Sequence, residues 1–113
     1  SSSPILTNVT ISGNSSGAQG GGIYNIATSN PILTNVVLSG NAATNQGGAI
    51  YNINSSPILT NLTISGNRAD EGGAIYNSAA STPAIRNSIL WNNGGGAIVN
   101  SGGAAATGSF SII

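Results

Sequence analysis

The chain repeats a short block of residues at an almost constant spacing. Pro-Ile-Leu-Thr-Asn begins at Pro4, Pro31 and Pro57, and a diverged copy, Pro-Ala-Ile-Arg-Asn, begins at Pro83. Successive copies are 27, 26 and 26 residues apart. A period of this size is typical of a solenoid, in which each repeat forms one coil and buries its apolar side only against neighbouring coils. The spacing therefore predicts about four stacked coils.

Each repeat contains three short runs of strand-forming residues separated by Asn and Gly. The runs are three to five residues long and are rich in Ile, Val, Leu and Thr. Short runs of this kind, bounded by turn residues, predict strands and exclude helices. Because the same order recurs in every coil, equivalent strands run in the same direction and pair in parallel. The sequence thus predicts an all-β solenoid over residues 1–100, with three strands per coil.

Asn occupies the same three places in every repeat. Asn tolerates the left-handed backbone of a tight corner, and its amide can bond to an equivalent Asn about 4.8 Å away in the next coil. We therefore expect three Asn ladders, one at each corner of the coils. Their members are Asn8, Asn35, Asn61 and Asn87; Asn14, Asn41, Asn67 and Asn93; and Asn25, Asn52, Asn77 and Asn100.

The residues that alternate along each strand predict which side chains face the core. The second place after Pro in the opening block holds only Leu or Ile and is assigned to the core. The next place holds Thr or Arg86 and must face water, because an unpaired buried charge is costly. Tyr24, Tyr51, Tyr76 and Val99 are predicted to form a stacked row outside. The predicted core residues are Leu6, Leu33, Leu59 and Ile85; Ile11, Leu38, Ile64 and Leu90; and Ile23, Ile50, Ile75 and Ile98.

The composition excludes most kinds of site chemistry. Arg68, Asp70, Glu71 and Arg86 are the only charged residues, and the chain has no His, Cys, Lys or Met. A nucleic-acid surface, disulfides and Cys/His zinc sites are therefore excluded. The two acids are sequence neighbours in a loop, unlike the separated carboxylates of glycosidases. We predict no catalytic residue, no metal ligand, no cofactor and no membrane insertion, since no apolar run approaches the roughly 20 residues of a spanning helix.

Two further motifs carry a family resemblance. GGGI begins at Gly20, and GGAI begins at Gly47, Gly72 and Gly95, each in a repeat that also has an apolar-x-x-Asn pattern. This combination resembles right-handed parallel β-helix repeats of bacterial surface proteins, and most of all the polymorphic outer-membrane-protein type. The resemblance covers residues 4–100, although Ile or Leu stands where that family often has Phe. It implies a right-handed coil and an extracellular or cell-surface location, while β-helices host enzymes, adhesins and spacers alike.

Some features keep a binding function open. The loops after the second Asn hold five, five, four and one residues, and such an edge often binds partners in repeat proteins. The row of Thr7, Thr34 and Thr60 offers a regular surface for ice or a polysaccharide, and the Tyr row offers rings for sugars. Both rows are equally well explained as ordinary strand residues. An adhesin-like passenger segment that binds a glycan or a cell-surface target is therefore an alternative.

The ends of the repeat array favour a structural role. Neither end has the polar cap with which solenoids usually cover their open strand edges. The chain begins at a repeat boundary, Ser1 to Pro4, and residues 101–113 end in an apolar strand-like segment expected to pair with the helix end or a neighbouring subunit. We therefore predict a non-catalytic protein that assembles with itself head to tail into a filament, or else a slice of a longer β-helix. The predicted assembly residues are Ile5, Val9, Ile11, Ile98, Phe110, Ile112 and Ile113.

Overall fold

A computed structural model describes residues 2–113, and in this range every regular element is a β-strand. Ser1, the first residue of the predicted repeat boundary, lies outside the described residues. The strands are β1 (Ile5–Thr7), β2 (Thr10–Ser12), β3 (Ser15–Ser16), β4 (Ile23–Ile26), β5 (Ile32–Thr34), β6 (Val37–Ser39), β7 (Ala42–Ala43), β8 (Ile50–Ile53), β9 (Ile58–Thr60), β10 (Thr63–Ser65), β11 (Ile75–Ser78), β12 (Ala84–Trp91), β13 (Ile98–Asn100) and β14 (Thr107–Ile112).

Equivalent strands of successive coils pair in parallel and in register. The first strands of the coils pair as β1-β5-β9-β12, the second strands as β2-β6-β10-β12, and the third strands as β4-β8-β11-β13. The register keeps equivalent residues together, so that Leu6 pairs with Leu33 and Leu33 pairs with Leu59. The predicted all-β parallel solenoid of about four coils is thereby confirmed.

In the fourth coil, one strand, β12, continues through the corner that separates the first and second strands of the earlier coils. β12 pairs with β9 through its first half and with β10 through its second half, so it joins two rows of strands that are separate in earlier coils.

The loop edge between the second and third strands is also hydrogen-bonded from coil to coil. β3 pairs with β7, and single bridges join Gln19 to Gln46 and Gln46 to Glu71. The coils are therefore hydrogen-bonded to one another on every side.

The core is a narrow column of aliphatic side chains, as the alternation predicts. The predicted inward residues of the middle coils are almost completely buried, and so are Ile85 and Leu90 of the fourth coil, which lie under β14. The inward residues that have a neighbouring coil on one side only are half-buried. The fully buried members include Leu33, Leu38, Ile50, Leu59, Ile64, Ile75, Ile85 and Leu90. The half-buried members are Leu6, Ile11, Ile23 and Ile98.

The Tyr row is stacked as predicted but is mostly hidden from water. The ring centroids of Tyr24 and Tyr51 are 5.1 Å apart, and those of Tyr51 and Tyr76 are 5.5 Å apart. Only Tyr24 is exposed, at 46 %, while Tyr51 and Tyr76 are each 7 % exposed. The rings cover one another, and burial raises the pKa of the Tyr51 hydroxyl above its ordinary value. The row is therefore a packing element with one free ring face at its N-terminal end.

The second Gly of the repeated Gly-Gly motif lies where successive coils approach most closely. A Cβ added at Gly48 would lie 2.5 Å from the carbonyl oxygen of Arg68 and closer still to that of Gly73. Gly21 and Gly73 occupy equivalent places. The motif therefore serves backbone-to-backbone packing between coils rather than binding.

We expect Gly48→Ala to lower the free energy of unfolding by about 1–3 kcal/mol, because backbone atoms of two coils must move to admit the methyl group. Gly17→Ala is the matched control, since a Cβ there would meet no atom within 4 Å. Urea titrations of the two variants measure the difference. Equal midpoints for both variants would show that the coils are not held at this spacing.

Candidate functional site

The Asn14 ladder, formed by Asn14, Asn41, Asn67 and Asn93, runs inside the solenoid. Each Nδ2 donates to the Oδ1 of the next member, at 3.1, 3.0 and 3.0 Å in chain order. The Oδ1 atoms of Asn41, Asn67 and Asn93 also accept hydrogen bonds from the backbone N–H of the preceding member, with N-to-O distances of 2.9 to 3.1 Å. The same amides reach backbone carbonyls, as when Asn67 Nδ2 donates to Leu38 O at 2.9 Å. This ladder satisfies turn peptides that lie away from the sheet bonds.

The Asn25 ladder, formed by Asn25, Asn52, Asn77 and Asn100, is also internal. Its Nδ2-to-Oδ1 distances are 2.8, 2.9 and 2.9 Å in chain order. Asn52 and Asn77 are fully buried. No buried side-chain nitrogen or oxygen in residues 2–113 lacks a hydrogen-bond partner. The Asn ladders predicted from the sequence are therefore present, and these two are fully bonded in the middle coils.

The third set, Asn8, Asn35, Asn61 and Asn87, takes the left-handed backbone conformation of its corner. Its φ angles are 57, 55, 56 and 50°, the left-handed values that the sequence predicts. These side chains are exposed, and within the described residues a single side-chain bond joins them, from Asn35 Nδ2 to Asn8 Oδ1 at 3.1 Å. At the next corner the left-handed residues are Gly13, Gly40, Gly66 and Asn92, so the following Asn is free to point inward. The predicted ladders are present, but only this set takes the left-handed conformation itself, whereas the other two sets point into the coil.

The loop edge forms a shallow groove but brings no reactive groups together. The groove has a volume of about 680 Å³ and is lined by Ser15, Ser16, Gly17, Ala42, Ala43, Thr44, Arg68 and Asp70. Asp70 and Glu71 are both exposed. In the part of the chain that the structure describes, no three acidic, His or Cys side chains are grouped as a metal site would require. The groove offers hydroxyls and one exposed cation, without an enclosed cavity.

The first-coil edge is formed by β1, β2 and β4, which pair on one side only within residues 2–113. Val9 O accepts from Val37 N at 3.0 Å, and Gly13 N donates to Ser39 O at 3.1 Å. Because alternate residues of a parallel strand bond to opposite neighbours, the peptide groups of Thr10 and Ser12 must face away from the second coil. The half-buried Leu6, Val9, Ile11 and Ile23 lie behind this edge. The edge therefore combines unpaired backbone groups with an incompletely covered core.

The last-coil edge is formed by β12 and β13, and it is open over β13 only. β14 pairs in parallel with β12, from Ala84↔Thr107 to Leu90↔Ile112, with a register shift at Asn87. A segment of the chain itself therefore covers this edge over the strand that ends at Trp91. β13 pairs with β11 and has no second neighbour in residues 2–113.

The predicted assembly residues divide between these two ends. Ile5, Val9 and Ile11 lie at the first-coil edge, and Ile5 is 69 % exposed. The others lie at the opposite end, where Ile98 and Phe110 are half-buried, Ile112 is 53 % exposed and Ile113 is 82 % exposed. Phe110 and Ile112 alternate with Ser109 and Ser111 in the pattern of a strand with one apolar side, and this segment was expected to pair with the helix end or with a neighbouring subunit.

Comparison with known proteins supports the fold and its broad role. A family model described as a right handed beta helix region matches residues 1–112. No curated protein and no solved structure matches the chain. The β-helix fold supports a structural or adhesin-like repeat domain, and such domains are often found in secreted or surface proteins. Across the described range, no helix has the length and apolar character needed to cross a membrane.

Proposed function

The chain belongs to the right-handed β-helix family, and we propose that it is a non-catalytic structural module of the cell exterior that joins copies of itself end to end. The observation that carries this proposal is the first-coil edge, where three strands have a partner on one side only in the part of the chain that the structure describes. An exposed strand edge is a template for pairing with a further strand. The partner is a second copy, whose last coil continues the sheets of the first.

Stacking would complete the core at the first-coil edge. Leu6, Val9, Ile11 and Ile23 occupy the same places as side chains that are fully buried one coil further on. Full burial of an aliphatic side chain is worth about 1.5–3 kcal/mol relative to full exposure, and half-buried side chains have part of that still to gain. Four such side chains give association a substantial apolar driving force.

The direction of the Asn hydrogen bonds supports a head-to-tail arrangement. In both internal ladders, each Nδ2 donates towards the following coil. Within residues 2–113, Asn14 Oδ1 and Asn25 Oδ1 accept no bond, and Asn100 Nδ2 makes none. Free acceptors thus lie at the first-coil edge and a free donor at the opposite end. Opposite ends are complementary, whereas two first-coil edges would place acceptor against acceptor.

The distribution of charge is consistent with both parts of the proposal. Arg68, Asp70, Glu71 and Arg86 are all exposed and belong to the third and fourth coils. They therefore place no charge at the first-coil edge that would oppose an approaching copy. With no His or Cys in the chain, the usual general base and the usual thiolate nucleophile are both absent. These features support a role in assembly rather than in catalysis.

We expect Thr10→Pro to block association at the first-coil edge while leaving the fold intact. The Thr10 N–H faces away from the second coil, so proline removes a donor that an incoming strand would use but that the coil itself does not. Thr10→Ala retains the N–H and is the matched control. Sedimentation velocity over a concentration series, with electron microscopy of the largest species, measures association, and circular dichroism checks the fold.

The expected order is association by the wild type and Thr10→Ala, and little by Thr10→Pro. A folded Thr10→Pro variant that associates as readily as Thr10→Ala would rule out pairing through this strand.

A further inference from the structure

We propose that β14 is a removable cap on the last-coil edge, and that an incoming first coil competes with it for β12. This inference rests on the proposed end-to-end association and concerns its control. β14 lies on the same edge of β12 that a second copy would need for its own first and second strands. Association at that end is therefore opposed by a segment of the chain itself.

The geometry of the end shows why both cannot be accommodated together. β14 adds one strand layer over the first and second strand positions, while β13, at the third position, remains uncovered. Strands in a sheet lie about 4.8 Å apart. A coil resting on β14 would therefore hold its third strand about two spacings from β13, too far to bond. Continuous stacking on all three sides requires β14 to leave.

β14 is also a poorer match to β12 than a first coil would be. It places Gly108 opposite Ile85 and shifts register at Asn87, so no residue lies opposite that corner. By the register that relates the coils, a first coil would place Leu6 over Ile85 and Asn8 over Asn87. It would also bring Asn14, Ile23 and Asn25 to places that β14 leaves empty. An incoming copy thus makes more contacts than the strand it displaces.

The cap is held mainly by backbone pairing with β12, and its side chains anchor it only slightly. Phe110 is half-buried opposite Ser88, but Ile112 is 53 % exposed and Ile113 is 82 % exposed. No side-chain hydrogen bond involving residues 107–113 is formed in the described part of the chain. Weak side-chain anchoring is what a strand must have if another is to replace it.

Gly108 provides a specific way to release the cap without truncating the chain. Its φ is +123°, and a Cβ there would overlap the carbonyl oxygen of Ile85. Gly108→Val is therefore expected to prevent docking of β14 against β12. Ser109→Val is the matched control, because Ser109 is exposed and lies next along the same strand. Phe110→Asp tests the same release by placing a charge in the half-buried position.

The experiment compares these variants with the wild type over a concentration series by light scattering. Hydrogen exchange of the amides of residues 107–112 reports whether β14 is docked. Gly108→Val and Phe110→Asp should lose this protection and associate at about tenfold lower concentration, which corresponds to about 1.4 kcal/mol of competition removed. Ser109→Val should match the wild type. A synthetic peptide of residues 104–113 should raise the concentration required by Gly108→Val and by the wild type.

The outcomes separate this inference from the proposed function. If the wild type associates but variants with unprotected β14 associate no more readily, and the peptide has no effect, β14 is not a cap. If association falls when β14 is released, β14 is itself the docking strand and the inference is overturned while end-to-end association stands. If neither the wild type nor the released variants associate at any concentration, the proposed function fails and the inference fails with it.

Discussion

Leu33→Ala should lower the free energy of unfolding by about 2–5 kcal/mol, the range found when a buried Leu is truncated in a close-packed core. Leu33 is 1 % exposed and lies between Leu6 and Leu59 in the column of first-strand residues. The coils above and below are held by backbone hydrogen bonds, so they cannot collapse far into the space that the missing side chain leaves. A urea titration followed by circular dichroism measures the change.

Thr34→Ala is the matched control for this prediction. Thr34 is adjacent in the same strand but points outward and makes no side-chain hydrogen bond within residues 2–113. Its truncation should change the free energy of unfolding by less than about 0.5 kcal/mol. Equal losses in the two variants would mean that the strand is rotated, with its inner and outer sides exchanged.

The fold could be predicted from the sequence because every signal is repeated. A single run such as Ile-Leu-Thr does not distinguish a strand from part of a helix. Recurrence at almost constant spacing aligns Leu6, Leu33, Leu59 and Ile85 and shows that the place tolerates only large aliphatic side chains. One Arg at the next place, Arg86, is then enough to assign the outer side. Each coil thus tests the inward or outward assignment made for the equivalent position in the other coils.

The orientation of the Asn residues was harder to predict, because one residue type serves two purposes. Asn35 suits its place because its φ is a left-handed 55°, whereas Asn41 is held by four side-chain hydrogen bonds inside the coil. Both recur with the same period, so recurrence alone does not separate them. The distinguishing signal is local: Gly40 precedes Asn41 and takes the left-handed conformation itself.

The ends could be predicted least well, because they occur once. β14 has no second copy with which its pattern can be aligned, and its docking depends on Gly108 passing close to the backbone of Ile85. Tyr24 and Tyr51 also show how an end differs from the middle of the stack. Tyr24 has a neighbouring ring on one side only and is exposed, whereas Tyr51 has a ring on both sides and is buried. The exposure and the strand pairing of the candidate assembly edges therefore depend on position within the stack rather than on residue type.

The second large effect is expected from Asn67→Ala. Asn67 is 1 % exposed, its Oδ1 accepts from Asn41 N at 2.9 Å and from Asn41 Nδ2 at 3.0 Å, and its Nδ2 donates to Leu38 O at 2.9 Å. Alanine replaces none of these bonds, so Asn41 N becomes a buried donor without a partner and Leu38 O loses one of its bonds. An unsatisfied buried group costs about 1–3 kcal/mol, so the free energy of unfolding should fall by about that amount.

Asn35→Gly is the control that separates the internal ladder from the corner set. Asn35 is exposed and its φ of 55° is readily adopted by Gly, so its loss removes only one exposed side-chain bond. We expect a change of less than about 0.5 kcal/mol in the same urea titration. If Asn67→Ala proved as mild as Asn35→Gly, water would have to be replacing the lost bonds inside the coil. The internal ladder would then contribute little to stability, and the bonding polarity that favours head-to-tail stacking would lose its energetic basis.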